Sequence, residues 1–168
     1  SSPAEFKELK NQKAIAGMLR AYGFEKVIEV SFGADLVARE YSKLLDKKSP
    51  KNYISSDCPA IVRYIEYYHP KLANDLAPVV SPMVATARMI RKDFGGQVRI
   101  VFIGPCIAKK SESNEIDEAI TFRELRDMFR DKGIDEKMDD GRGFDEPSSG
   151  KGAIFPISRG LLQTTDHK

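Results

Sequence analysis

Cys58 and Cys106 are the residues of this sequence best suited to redox or metal chemistry, because thiolate sulfur binds soft metals and attacks electrophiles. Cys58 precedes Pro59 at the predicted start of a helix, and Cys106 follows a predicted strand. Ligand sites in open α/β sheets collect outside the carboxyl ends of strands, and the start of a helix favours the thiolate form. Spacing alone leaves two readings open: a pair of converging metal ligands, or two buried, inert thiols. Two cysteines cannot make a disulfide framework, so free thiols in a reducing cytoplasm are expected. His69 and His167 are isolated and lack zinc-type spacing. The Ser148-Ser149-Gly150-Lys151-Gly152 run fails as a phosphate loop, which needs Gly at Asp145 and Ser or Thr at Gly152. Tyr64, Tyr67 and Tyr68 cluster on one helix, where packing is the ordinary explanation.

These residues must be positioned by a fold that the chain's patterning predicts to be α/β, a mostly parallel sheet flanked by helices. Helical spacing predicts helices over Gln12 to Tyr22, from Gly33 through Leu45, from Pro59 to His69, and from Pro82 to Phe94. A capping box at Thr121 to Glu124 predicts another, with Phe122, Leu125, Met128 and Phe129 as its buried stripe and Gly133 as its stop. Short strands are predicted at Lys26 to Val30, Asn52 to Ser55, Val79-Val80, Ala119-Ile120 and Gly152 to Phe155, with the strongest at Gln97 to Ile103. Lys47 to Lys51 reads as a solvated basic loop, and Asp135 to Gly152 as a long polar loop. With 168 residues, 41% hydrophobic and 31% charged, the chain can bury a real core, which excludes disorder. Lys+Arg 27 against Asp+Glu 25 are mixed along the chain, so neither a nucleic-acid partner nor an anionic membrane surface is expected. No apolar run is long enough to span a bilayer.

The sequence around each cysteine narrows the chemistry. Ser55-Ser56-Asp57-Cys58-Pro59 resembles the Thr-Ser-Cys-Cys-Pro signature of the iron-iron hydrogenase catalytic domain, and Gly104-Pro105-Cys106-Ile107-Ala108-Lys109-Lys110-Ser111-Glu112 resembles its Met-Pro-Cys-x-x-Lys-x-x-Glu signature. The resemblance continues in the family's order through Gly23-Phe24-Glu25-Lys26-Val27, Ala34-Asp35-Leu36, Ser81-Pro82, Thr121-Phe122-Arg123-Glu124-Leu125, Gly133-Ile134-Asp135 and Ser149-Gly150-Lys151-Gly152-Ala153-Ile154-Phe155. It implies that Cys58 and Cys106 are two of the four thiolates holding the 4Fe-4S part of an H-cluster, whose other part is a di-iron centre with carbonyl and cyanide ligands. Lys109 matches the lysine that donates to a cyanide, and Glu112 matches a carboxylate of the proton path. Ser81 and Pro105, within matching signatures, are expected to line the cofactor.

The departures from the family pattern bear on activity. Asp57 stands where the family carries its proton-transferring cysteine, Gly104 replaces a methionine, Met83 replaces a glutamine, and Pro156 to Leu162 replaces a Gly-Ala-Thr-Gly-Gly-Val-Met segment. Asp57 can relay protons, but carboxyls ordinarily titrate well below thiols. Such changes resemble hydrogenases coupled to signalling domains, tuned to detect hydrogen. The family's last two cysteines have no counterpart, so the resemblance implies residues 1–115 as the first lobe and 116–168 as the start of a truncated second lobe. The chain by itself is then expected to be apo or to hold a cluster poorly. Implied partners are the remainder of the polypeptide, with its cysteines and its ferredoxin-like or signalling domains, and a ferredoxin or similar electron carrier. The competing expectation is a non-catalytic iron-sulfur assembly or electron-transfer relative that binds a cubane without turning over hydrogen.

Overall fold

The computed structural model describes residues 5–7, 9, 11, 13–46, 51–157 and 159–165. Gln12, Ser158, His167 and the Lys47 to Lys51 loop, Lys51 apart, lie outside them. The fold is α/β and rich in helix, and the chain divides into two units that alternate along the sequence.

The first unit draws on the described residues of Ser1–Glu29, Arg99–Lys110 and Ile116–Ser148. Helix α1 (Ala14–Tyr22) places Ile15, Met18 and Leu19 on one face and ends at Gly23, whose φ of 128° suits a residue without Cβ. Strand β1 (Val101–Gly104) pairs in parallel with β2 (Glu118–Thr121), in the register Val101 with Glu118 through Gly104 with Thr121. Asp117 fixes the entrance to the pair, its Oδ2 accepting from Ile100 N at 2.6 Å. β2 runs into the helix Phe122–Lys132 through the predicted capping box: Glu124 N donates to Thr121 Oγ1 at 3.3 Å and Thr121 N donates to Glu124 Oε2 at 2.7 Å. Phe122, Leu125 and Phe129 of that helix close the core with Phe6, Ile15, Met18, Leu19 and Ile134.

The second unit comprises the described residues of Val30–Val98, Ser111–Glu115 and Ser149–Lys168. With Ala14–Tyr22 as α1, its helices are α2 (Val30–Asp46), α3 (Pro59–Tyr68), α4 (Pro82–Phe94) and α6 (Gly160–Thr164), and Phe122–Lys132 is α5. Its core joins Ala34, Val37 and Tyr41 of α2 to Ala77 and Phe155. Pro59 and Pro82 occupy first turns, as expected of residues that lack an N–H.

Several predicted strands are not strands. Lys26 to Val30 is reduced to a bridge between Ile28 and Asp145, and Asn52 to Ser55 to a bridge between Ile54 and Leu76. Val79-Val80 forms none, and the strongest predicted strand is confined to Val101–Gly104. Gly33 does not open a helix but lies inside α2, which starts at Val30, and a Cβ there would come within 2.2 Å of Pro82 O. The two helices pack on that missing side chain. Gly152 to Phe155 is part of a 3-10 turn, Lys151–Ile154, and not a strand. A Cβ on Gly152 would lie 1.9 Å from Ser31 O, and Asp35 accepts from Gly150 N and Gly152 N at 2.6 Å each, so the backbone is held against α2 with no sheet partner.

Candidate functional site

In the second unit, Cys58 is the N-cap residue of α3, with extended backbone (φ −105°, ψ 108°) and a half-buried free thiol. Its carbonyl accepts the first helical bond, from Val62 N at 3.0 Å. The segment before it is tightly organised. Ser55 Oγ donates to Asp57 Oδ1, Ser56 Oγ donates to Val79 O at 2.6 Å, and Ser56 N donates to Tyr41 Oη at 3.0 Å. Asp57 and Cys58 are thus adjacent, half-buried groups on a hydrogen-bonded turn.

Ser81 sits at the N-cap position of α4, as its spacing before Pro82 predicts, but its side chain makes no cap bond. It is 2% exposed, and Oγ has no hydrogen-bond partner among the described residues. A buried hydroxyl left unsatisfied costs about 1–3 kcal/mol. Glu112 is half-buried in the same unit, with Oε2 shielded from solvent. Its neighbours are anchored: Arg63 Nη2 donates to Ser111 O, and Arg88 grips Glu115 through two bonds of 2.8 and 2.9 Å. Arg88 thereby lowers the Glu115 pKa below the carboxylate norm, against the opposing effect of burial.

In the first unit, Pro105 and Cys106 follow the carboxyl end of β1, and both are exposed. Cys106 is free, and its carbonyl accepts from Lys109 N at 3.2 Å as the chain turns into the 3-10 segment Ile107–Ser111. Lys109 is half-buried. Lys110 beside it donates to Glu124 Oε1 at 2.5 Å. Glu124 is pushed down to about 2, first by Lys110, then by the Thr121 backbone and side chain. The capping box at the start of α5 therefore also tethers the turn that carries Cys106.

Pattern reading places Cys58 and Ser81 at helix starts and Cys106 after a strand without showing what holds them; the structure puts Asp57, Cys58, Ser81 and Glu112 in the second unit and Pro105, Cys106 and Lys109 in the first. The pattern misses Tyr41, Arg63 and Arg88, whose partners lie far along the chain where no spacing rule reaches, and it gives Ser55 and Ser56 no role beyond membership of a signature. Among the described residues, no group of three or more His, Cys, Asp or Glu side chains is arranged to hold a metal ion. The donors suit an iron-sulfur group in kind: two free thiols, a buried unpartnered hydroxyl and a lysine. In number they supply half of the four thiolates of a cubane.

The first unit's parallel strand pair delivers one cysteine to a helical turn, the second unit's cysteine caps a helix, and the chain as a whole is a cysteine-bearing α/β protein. The sequence matches the family described as "Iron only hydrogenase large subunit, C-terminal domain" over residues 2–167, and the chain belongs to that family. It is 31% identical over 171 residues to iron hydrogenase 1 of Clostridium pasteurianum, covering 86% of this chain and 29% of that protein. It is equally 31% identical to the periplasmic Fe hydrogenase large subunit of Nitratidesulfovibrio vulgaris, covering 86% and 41%. A cytosolic Fe-S cluster assembly factor, NAR1 of Yarrowia lipolytica, is 25% identical over 72% of this chain and 27% of its own length. Among solved structures, an apo variant of the FeFe-hydrogenase HydA1 from Chlamydomonas reinhardtii superposes with a TM-score of 0.75 and 26% identity, covering 97% of this chain and 50% of that one. The chain thus spans under half the length of these curated relatives and half of that solved chain. No helix among the described residues is long and apolar enough to cross a membrane.

Proposed function

We propose that this chain is part of a hydrogenase domain that binds a 4Fe-4S/di-iron H-cluster and reversibly oxidises dihydrogen, working as a hydrogen or redox sensor. The observation that carries the reading is that each unit offers one free thiol at the entrance to a helical turn, within a family whose description is iron-only hydrogenase. Cys58 and Cys106 would hold the cubane as two of its four thiolates, the others coming from the rest of the polypeptide. The bound cluster supplies the two-electron chemistry of dihydrogen. Lys109 would donate a charge-assisted hydrogen bond to an anionic ligand, and Ser81 Oγ would make a neutral one. Asp57 would hold and release a proton at its carboxylate, oriented by Ser55, and Glu112 would pass protons between the shielded side of its carboxylate and solvent. With only two thiolates of its own, the chain alone would hold a cluster poorly. A ferredoxin or similar carrier would exchange electrons with it, in the cytoplasm.

A second reading, a cluster-assembly or electron-transfer protein that binds a cubane without turning over hydrogen, is favoured by two observations. One is the likeness to the cytosolic Fe-S cluster assembly factor; the other is the absence of a thiol at Asp57 and of a side chain at Gly104. Lys109 favours the first reading, since a cubane alone presents no cyanide. Anaerobic iron and sulfide analysis with infrared spectroscopy, on the full-length protein matured with the di-iron assembly machinery, separates them. Carbonyl and cyanide bands are expected. A cubane without those bands would replace the hydrogenase reading with the second one, and no bound iron would remove both.

A further inference from the structure

Tyr41 is 7% exposed, with its ring in the second unit's core beside Ala34, Val37, Ala77 and Phe155, yet its hydroxyl meets the segment that leads into Cys58. Ser56 N donates to Tyr41 Oη at 3.0 Å, while Ser55 Oγ and Ser56 Oγ lie 3.2 and 3.4 Å from the same oxygen. A hydroxyl has one proton, which fixes the direction of the network. Ser56 Oγ spends its proton on Val79 O, and Ser55 Oγ on Asp57 Oδ1, so both serine oxygens face Tyr41 as acceptors. Tyr41 can donate to only one, and Ser55 is the nearer. The chain of donors therefore runs from Tyr41 through Ser55 to Asp57, while the same phenolic oxygen accepts from the Ser56 backbone.

We propose that Tyr41 is a positioning residue of the site: its hydroxyl orients the Asp57 carboxylate through Ser55 and fixes the backbone ahead of Cys58 through Ser56. Phenylalanine would fill the core equally well, so the oxygen is what tyrosine adds at this position. Without it, Ser56 N–H loses its acceptor and Ser55 Oγ loses the donor that polarises it toward Asp57. The inference rests on the proposed function only for what Asp57 and Cys58 are used for; the network itself is read without metal.

The test is NMR on the metal-free full chain. In the unsubstituted protein, an NOE is expected between the Ser56 amide proton and the Tyr41 ring Hε protons, and its absence would overturn the proposal without any substitution. In Tyr41→Phe, exchange of the Ser56 amide should quicken about 10-fold, the effect of losing one part-buried hydrogen bond, and its proton resonance should move upfield. Amides of Val37 and Ile65, buried in the same unit, should keep their exchange rates, which separates a local role from general loosening. Ser55→Ala, which cuts only the Asp57 arm, should leave the Ser56 amide unchanged. In a Cys106→Ser background, alkylation of Cys58 by a neutral maleimide should accelerate several-fold in Tyr41→Phe. Ser56 exchange within twofold of the unsubstituted rate in Tyr41→Phe, or quickened equally by Ser55→Ala, would refute the role. A protein that binds no iron would end the cluster reading while leaving these outcomes to decide on Tyr41.

Discussion

At the scale of single residues, the two thiols differ in setting: Cys58 is half-buried at a helix cap, and Cys106 is exposed beyond a strand. A solvent thiol reagent should therefore modify Cys106 well before Cys58, which mass spectrometry of partly alkylated chain would read directly; equal rates would contradict the burial difference. If both ligate one cubane, Cys58→Ser or Cys106→Ser in the full-length protein should each lower retained iron below the four atoms of a complete cluster, with Lys109→Met leaving the cubane iron in place. Iron content untouched by either cysteine substitution would remove that residue from the ligand set. The cysteines and their flanking signatures were legible because the chemistry sits in consecutive residues. Tyr41 was not, because in the helical stripe Leu36, Val37, Tyr41, Leu44, Leu45 a tyrosine reads only as core, and its hydroxyl's partners lie 14 and 15 residues away.

At the scale of elements, α5 is the part of the fold most fully specified locally. Thr121, Glu124 and Gly133 give start and stop within one short stretch, and the structure realises both, with Gly133 at φ 62°. Thr121→Ala should cost about 1 kcal/mol, lowering Tm by about 2–4 °C for a chain of this size. Because Lys110 and Thr121 hold Glu124 down to about 2 from an ordinary 4.5, its stabilising effect is complete above pH 4.5 and disappears as pH falls toward 2. Glu124→Gln should flatten that part of the stability–pH curve between 4.5 and 2, and an unaltered curve in urea titrations would show the ion pair to be energetically silent. Predicted strands failed where the deciding contact was distant. Gly152 was read as strand from its local apolar run, but what shapes it is the close approach of Ser31 O and the carboxylate of Asp35. Gly33, predicted to open a helix from the spacing that follows it, lies within one, and its missing side chain serves the packing of α2 on α4.

At the scale of the whole molecule, the long polar stretch after α5 gains its order from one buried cation. Arg20 of α1, its side chain 6% exposed, donates to Asp140 at 2.8 and 2.9 Å, to Asp145 at 2.9 Å and to Gly143 O at 2.7 Å. Asp145 in turn accepts from Val27 N at 2.8 Å. Arg20 holds the Asp140 carboxyl well below the usual range and is itself raised by that bond, although burial works against its charge. Arg20→Met leaves these acceptors without their donor and should destabilise the first unit by roughly 2 kcal/mol or more. Limited proteolysis should then cut near residues 139–146 while the second unit's Ser56 amide stays protected; protection of both would show that the arginine is dispensable.

The alternation of the two units along the chain has a temporal consequence. A ribosome delivers residues in order, at about 5–20 per second. The core around α1's apolar face, Ile15, Met18 and Leu19, is completed by Phe122, Leu125, Phe129 and Ile134, so that core must wait for more than a hundred further residues to emerge. Most of the second unit, Val30–Val98, is made during that wait, though Phe155 of its core arrives last. The nascent protein thus carries a greasy helix in need of shelter for several seconds, which makes it a natural client for a chaperone at the exit tunnel.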